Sequence, residues 1–143
     1  MIFTNSDGGA RGNPGPGAIG VIVRRNDEIL TKYSQMVGGH VTNNIAEYEG
    51  VIKALELASK FDKEVTCFLD SELVVNQLLG KYKVRNEKLF PLFLKVQKLI
   101  DGFYKVQFKY VSRWDKFQIL VDELLNEELA NHGFEKKIPK RRS

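Results

Sequence analysis

One cysteine and two histidines are all that this 143-residue chain has in the way of soft metal ligands and ready nucleophiles. The single cysteine, Cys67, lies in the apolar stretch Val65 to Leu69, so no intrachain disulfide can form, and a reducing, cytoplasmic setting is expected. With only His40 and His132 for company, it belongs to no Cys/His cluster. Structural zinc and Cys–His nucleophilic catalysis are therefore poorly supported. The N-terminus turns polar by Thr4-Asn5-Ser6-Asp7, too early for a secretory signal. The longest apolar run, Ala18 to Val23, is far too short to cross a bilayer as a helix, and no membrane partner is expected. There is no internal repeat. Nor is there a Gly-x-x-x-x-Gly-Lys-Ser/Thr phosphate cradle, and the glycine-rich loop leads into a strand rather than a helix.

What is present suits one compact domain, expected over residues 1–135 and followed by a short basic tail, 136–143. Hydrophobic residues make up 43%, an ordinary globular proportion that argues against wholesale disorder. The net charge of +4 is unevenly placed. Lys136, Lys137, Lys140, Arg141 and Arg142 sit in the last eight positions, leaving 17 basic against 18 acidic residues over 1–135. Such a tail either neutralises nucleic-acid phosphates without reading sequence or is a solvated terminus.

Residue periodicity gives the element order β-β-β-α-β-α-α-β-α. Ile2 to Ser6 reads as a first strand, broken by the turn-rich segment Asp7 to Gly17. Ala18 to Arg25 and Ile29 to Met36 form an antiparallel hairpin around Asn26-Asp27, and Gly38-Gly39-His40 ends it. Ile45, Tyr48, Val51, Ile52, Leu55 and Ala58 then recur at helical spacing. Val65 to Leu69 is a short strand, followed by a helix from about Ser71 to Leu79 that Gly80 stops. Beyond a linker, Leu89, Phe93, Val96, Leu99 and Ile100 mark a third helix. Val106, Phe108 and Tyr110 alternate as a strand, and a last helix passes through Leu120, Leu124 and Leu125 to about Asn131. The fold class is α/β: a five-stranded mixed sheet covered by helices, its late strands parallel through right-handed crossovers.

The chemistry is carried by acidic residues at element boundaries. Asp7 ends the first strand, Glu47 lies early in the first helix, Asp70 closes the fourth strand, and Asp122 opens the last helix. Strand ends and helix starts can converge on one crevice, where four carboxylates repel severely unless cations bind. Oxygen-only ligation suits Mg²⁺ or Mn²⁺, and a pair of such ions makes a clamp for displacement at phosphorus. Each residue also has a structural reading. Asp7-Gly8 can make a turn, Asn44 with Glu47 can form a capping box, Asp70 can cap the next helix, and Asp122 can complement a helix dipole.

Three segments resemble type 1 ribonuclease H. The first is Ser6 to Gly20, Ser-Asp-Gly-Gly-Ala-Arg-Gly-Asn-Pro-Gly-Pro-Gly-Ala-Ile-Gly; the second is Thr42-Asn43-Asn44-Ile45-Ala46-Glu47-Tyr48. The third is Leu69-Asp70-Ser71-Glu72-Leu73-Val74-Val75-Asn76-Gln77-Leu78, followed by Gly80-Lys81-Tyr82-Lys83-Val84-Arg85-Asn86. Order and spacing match over about 130 residues, and the short Gly80 to Pro91 link resembles members without an extra basic helix. The resemblance implies a ribonuclease H-like fold and hydrolysis of the RNA strand of RNA–DNA hybrids to 5′-phosphate and 3′-hydroxyl ends. It implies that Asp7, Glu47, Asp70 and Asp122 hold two Mg²⁺ or Mn²⁺ ions, one activating water and the other stabilising the leaving oxygen. By the same resemblance Asn13, Asn43 and Asn44 contact RNA 2′-hydroxyls, while Lys81, Tyr82, Lys83 and Arg85 touch DNA-strand phosphates; turn and capping chemistry is the other reading of the asparagines, and packing that of Tyr82. Double-stranded RNA offers a similar minor groove and is a further candidate substrate. A monomer is expected, and the other reading is a hybrid-binding module that has lost turnover.

The last segment departs from the family pattern. Arg113 to Asn126 lacks the usual Asn and is about two residues longer between Arg113 and Asp122, although the spacing from Asp122 to Asn126 agrees. Asp122 is the expected fourth carboxylate, with Asp115 and Glu123 as competitors. Many relatives carry a His in this loop and this chain has none; Arg113 or Lys116 stands nearby, but a cation cannot accept a proton as neutral imidazole does. Glu72 replaces a frequent Gln, and a carboxylate accepts from a 2′-hydroxyl without donating. Truncation after Glu135 is expected to flatten the salt dependence of nucleic-acid affinity, read as the slope of log K against log salt. An unchanged slope makes the tail a bystander.

Overall fold

The computed structural model describes residues 1–135; the basic tail at 136–143 lies outside the described residues. The elements are β1 (Ile2–Ala10), β2 (Gly15–Arg25), β3 (Glu28–Val41), α1 (Asn43–Ala58), β4 (Glu64–Leu69), α2 (Glu72–Leu78), α3 (Phe90–Ile100), β5 (Lys105–Tyr110) and α4 (Lys116–Asn131). The order along the chain is the one the periodicity predicts. The strands form one sheet in the order β3-β2-β1-β4-β5, with β1 at its centre. β1 runs antiparallel to β2 and parallel to β4, and β4 runs parallel to β5, so the mixed sheet is confirmed.

Alternation along β2 shows how both faces are filled. Ile19, Val21 and Val23 join the side that carries α1, while Ala18 and Ile22 pack with Phe117, Val121, Leu125 and Leu129 of α4. The larger core lies on the first side, where Tyr48, Val51, Ile52 and Leu55 of α1 meet Ile2, Val65, Cys67 and Leu69, with Val74 and Leu78 of α2 and Val96 of α3. No described helix is long and apolar enough to cross a membrane.

Four boundaries differ from expectation, the simplest being β2, which starts at Gly15 rather than Ala18. β1 does not stop at Ser6 but pairs with β2 as far as Ala10, so Asp7 sits within the strand, opposite Gly20. Glycine usually weakens a strand; here Gly8 is required by contact, since a Cβ on it would collide with the Ala46 backbone of α1. β3 likewise continues through Gly38-Gly39-His40 to Val41. α4 starts at Lys116, capped by Asp115, so Asp122 lies well inside the helix rather than opening it.

Gly20 is the counterpart of Gly8 on the opposite face: a Cβ there would run into the Val121 carbonyl and lie 3.0 Å from Leu124 Cβ. Backbone contact at these two glycines sets how closely α1 and α4 approach the sheet. Gly8→Ala and Gly20→Ala are each expected to lower stability in urea by about 1–3 kcal/mol or more, through overpacking. Gly39→Ala, whose Cβ meets nothing within 4 Å, serves as the neutral control. Equal stability of all three variants refutes the close approach.

Candidate active site

With no side chain at Gly8, the first turns of α1 lie against β1, and the Glu47 carboxylate comes beside that of Asp7. Asp70 follows the last residue of β4, the strand next to β1. Asp7, Glu47 and Asp70 each place a carboxylate oxygen within 4.8 Å of the others. Asp7 and Glu47 are buried and Asp70 is half-buried. Asp7 Oδ1 accepts from the Gly8 amide (2.9 Å), whereas Glu47 Oε2 is buried without a hydrogen-bond partner. Among the described residues none of the three forms a salt bridge.

The structural readings of these carboxylates do not hold, because other residues do that work. Thr42 caps α1 through the Ile45 amide (3.1 Å), so Asn44 and Glu47 are not a capping box. Ser71, not Asp70, caps α2 through the Val74 amide (3.3 Å). Asp115 caps α4 through the amides of Phe117 (3.0 Å) and Gln118 (3.2 Å). The cap of α4 is thus Asp115, and the helix-start role considered for Asp122 falls away, since Asp122 lies well inside α4. Asp7 is in a strand, not a turn.

Asp122 stands outside the tight trio but shares with Asp70 a cleft of about 420 Å³, lined also by Arg113, Trp114, Ile119 and Glu123. It is exposed, and its Oδ2 accepts from Asn126 Nδ2 (3.2 Å). Asn126 Oδ1 in turn accepts from Arg11 (2.6 Å), which links the β1–β2 loop to α4. The agreement in Asp122 to Asn126 spacing thus corresponds to a physical contact one helical turn apart. Glu123 also lines the cleft, exposed.

Burial and mutual repulsion raise the affinity of the trio for protons. Burial, assisted by the charges of Asp70 and Asp122, pushes the Asp7 carboxyl up to about 7. Burial and then Asp7 hold Glu47 well above the usual carboxylate range, and burial raises Asp70. A trio of hard oxygen donors, one of them orphaned, fits a divalent cation such as Mg²⁺. Cys67 offers no competing nucleophile, since burial pushes its thiol up to about 12.

Asn13, Asn43 and Asn44 share a concavity of about 300 Å³ with Thr42, Asn86 and Leu89. Asn13 Oδ1 accepts from the Asn43 amide and Asn43 Oδ1 from the Ala10 amide, both at 2.9 Å. Asn86 was legible in the third segment but not singled out. Lys81, Tyr82, Lys83 and Arg85 are exposed on the loop leading to it. Glu72, the first residue of α2, is also exposed.

Gln118 is the residue that sequence reasoning missed most clearly. It is fully buried; its Nε2 donates to the Ser6 carbonyl (2.8 Å) and its Oε1 accepts from Asn5 Nδ2 (3.2 Å). Asn5 Oδ1 accepts from Arg24 Nε (2.9 Å), whose guanidinium lies 4.1 Å from the Phe117 ring centroid. This relay fastens α4 to the strand that carries Asp7. Its signal was the position of Gln118 four residues before Asp122, one helical turn away.

The raised carboxyls predict an unusual pH profile. An unfolded Asp titrates near 3.8 and folded Asp7 near 7, so between those values the folded state holds a proton that the unfolded chain has released. This contribution is fully present below pH 3.8 and is lost as pH rises through about 7. In thermal melts of metal-stripped protein, Asp7→Asn is expected to remove that loss and to be the more stable at about pH 8. Added Mg²⁺ should raise Tm in the parent more than in the variant. A parent no less stable than Asp7→Asn at the higher pH, and indifferent to Mg²⁺, contradicts this electrostatic account.

Comparison with known proteins agrees with the geometry. Residues 5–116 match the family described as reverse transcriptase-like. The bifunctional protein Rv2228c of Mycobacterium tuberculosis is 37% identical over 115 residues, covering 78% of this chain and 31% of that protein. The chain therefore spans about a third of the length of that relative. Ribonuclease H1 of the halophilic archaeon Halobacterium salinarum superposes with a TM-score of 0.85 at 32% identity, over 91% of this chain and 98% of the other. LC11-RNase H1, isolated from compost and solved in complex with an RNA/DNA hybrid, gives 0.85 at 37% identity, over 92% of this chain and 99% of the other. Taken with the sheet order and the clustered carboxylates, these matches place the chain in the type 1 ribonuclease H family, within the reverse transcriptase-like group.

Proposed function

We propose that this chain is an endoribonuclease that hydrolyses the RNA strand of RNA–DNA hybrids, with Asp7, Glu47 and Asp70 holding Mg²⁺ or Mn²⁺ and Asp122 completing the site. The observation that carries this reading is the meeting of three carboxylates from β1, α1 and the end of β4 within 4.8 Å, with a buried oxygen of Glu47 left unpartnered. Bound divalent cations supply a nucleophilic water at neutral pH and offset charge on the leaving oxygen. The chain's own residues place that chemistry. The Gly8 amide fixes one Asp7 oxygen and leaves the other for a ligand. Asn126 orients Asp122 towards the cleft shared with Asp70. Asn13, Asn43 and Asn44 commit oxygens or backbone to the fold while their amide groups suit 2′-hydroxyls in a wide minor groove. Lys81, Lys83 and Arg85, with Tyr82, suit phosphates of the paired DNA strand.

Cleavage of an end-labelled hybrid with Mg²⁺ or Mn²⁺ tests the reading, with an RNA duplex at equal salt as the second substrate. Asp70→Asn is expected to lower kcat by about 10²-fold or more. Asp122→Asn should cost far more activity than Asp115→Asn, since Asn at 115 still caps α4. Tight hybrid binding without cutting in either metal supports the binding module instead, and equal cutting by Asp70→Asn removes that carboxylate from the mechanism.

A further inference from the structure

Trp114 is the chain's only tryptophan, and 71% of its surface is exposed. It lines the same cleft as Asp70 and Asp122, next to Ile119, another large apolar side chain left partly in water. Oxygen ligation of a cation has no use for an apolar wall. The lining of the cleft therefore has two chemical characters, carboxylate oxygens and the apolar surfaces of an indole and Ile119. A nucleotide has the same two, an anionic phosphate that cations neutralise and a sugar with apolar C–H faces.

The backbone that carries the indole is also held in place. The Trp114 amide donates to Ser112 Oγ (3.1 Å), the Arg113 guanidinium lies 4.7 Å from the ring centroid, and Asp115 begins the capping of α4 at the next residue. A protein partner or second copy covering Trp114 would also obstruct Asp70 and Asp122, which share its cleft. Bases inside a duplex are paired and stacked, and the minor groove displays sugars and 2′-hydroxyls. An indole offers a broad apolar face together with one N–H donor, which suits a ribose better than a buried base.

We propose that Trp114 contacts substrate, its indole packing on the ribose next to the phosphate at the carboxylates and setting the position of the RNA strand along the cleft. This rests on the proposed hybrid-cleaving function. Because Trp114 is the only tryptophan, its emission reports the contact directly. The Asp70→Asn protein is titrated with a short RNA–DNA hybrid in Mg²⁺ while Trp emission is followed, and binding is measured separately by anisotropy of a fluorescein-labelled copy of that hybrid. Emission is expected to change in parallel with binding.

In steady-state cleavage by otherwise unaltered protein, Trp114→Ala is expected to raise KM about tenfold with kcat within about twofold, and Trp114→Phe to stay within about threefold of the parent in both. Binding by anisotropy with no change in emission, or an unaltered KM for Trp114→Ala, overturns the Trp114 assignment and leaves the function intact. Absence of hybrid binding overturns both.

Discussion

Mutual repulsion among buried carboxylates is the constraint on which the rest of this molecule depends. Asp7, Glu47 and Asp70 are crowded within 4.8 Å where burial already disfavours charge, and no described basic side chain pairs with them. A fold that keeps such a cluster gains nothing in stability from it as carboxylates alone. The arrangement becomes favourable when cations are bound or when protons are shared, and at neutral pH the hard oxygen set favours the cations. Holding the groups together against their repulsion requires rigid support.

That support comes from contacts between backbones on both faces of the sheet. Gly8 lets α1 lie against β1 and Gly20 lets α4 lie against β2, and because Gly20 pairs with Asp7 the two approaches converge on one point of the sheet. The Arg24–Asn5–Gln118–Ser6 relay adds a polar tie between α4 and the residues flanking Asp7. Cap hydrogen bonds are assigned to Thr42, Ser71 and Asp115, which leaves the candidate ligands free of capping duty. This division of labour ties the local sequence to the geometry of the site.

Much of this was legible in the sequence, for reasons that differ by element. α1 and α3 were readable because their apolar residues recur at helical spacing, and the hairpin because Asn26, at φ 54°, takes the left-handed conformation its turn needs. The run from Asp7 to Gly17 misled, since glycine and proline signal turns locally while the strand there persists through pairing with β2 and contact with α1, both distant in sequence. α4 was read as starting late because Lys116 to Ile119 lacks a clean apolar period; Phe117 and Gln118 are nonetheless buried, Gln118 as a polar tie. The trio of acids was foreseeable from the motifs, whereas the place of Asp122 two turns into α4, the clustering of Asn86 with the other asparagines and the exposure of Trp114 depend on tertiary packing.

The central claim is that Asp7, Glu47 and Asp70 together grip divalent cations. A crystal grown with Mn²⁺ and measured for anomalous scattering tests it most directly. Manganese peaks bonded by carboxylate oxygens of all three residues are the predicted result. Peaks only elsewhere, with the three carboxyls hydrogen-bonded to one another through shared protons, would contradict it.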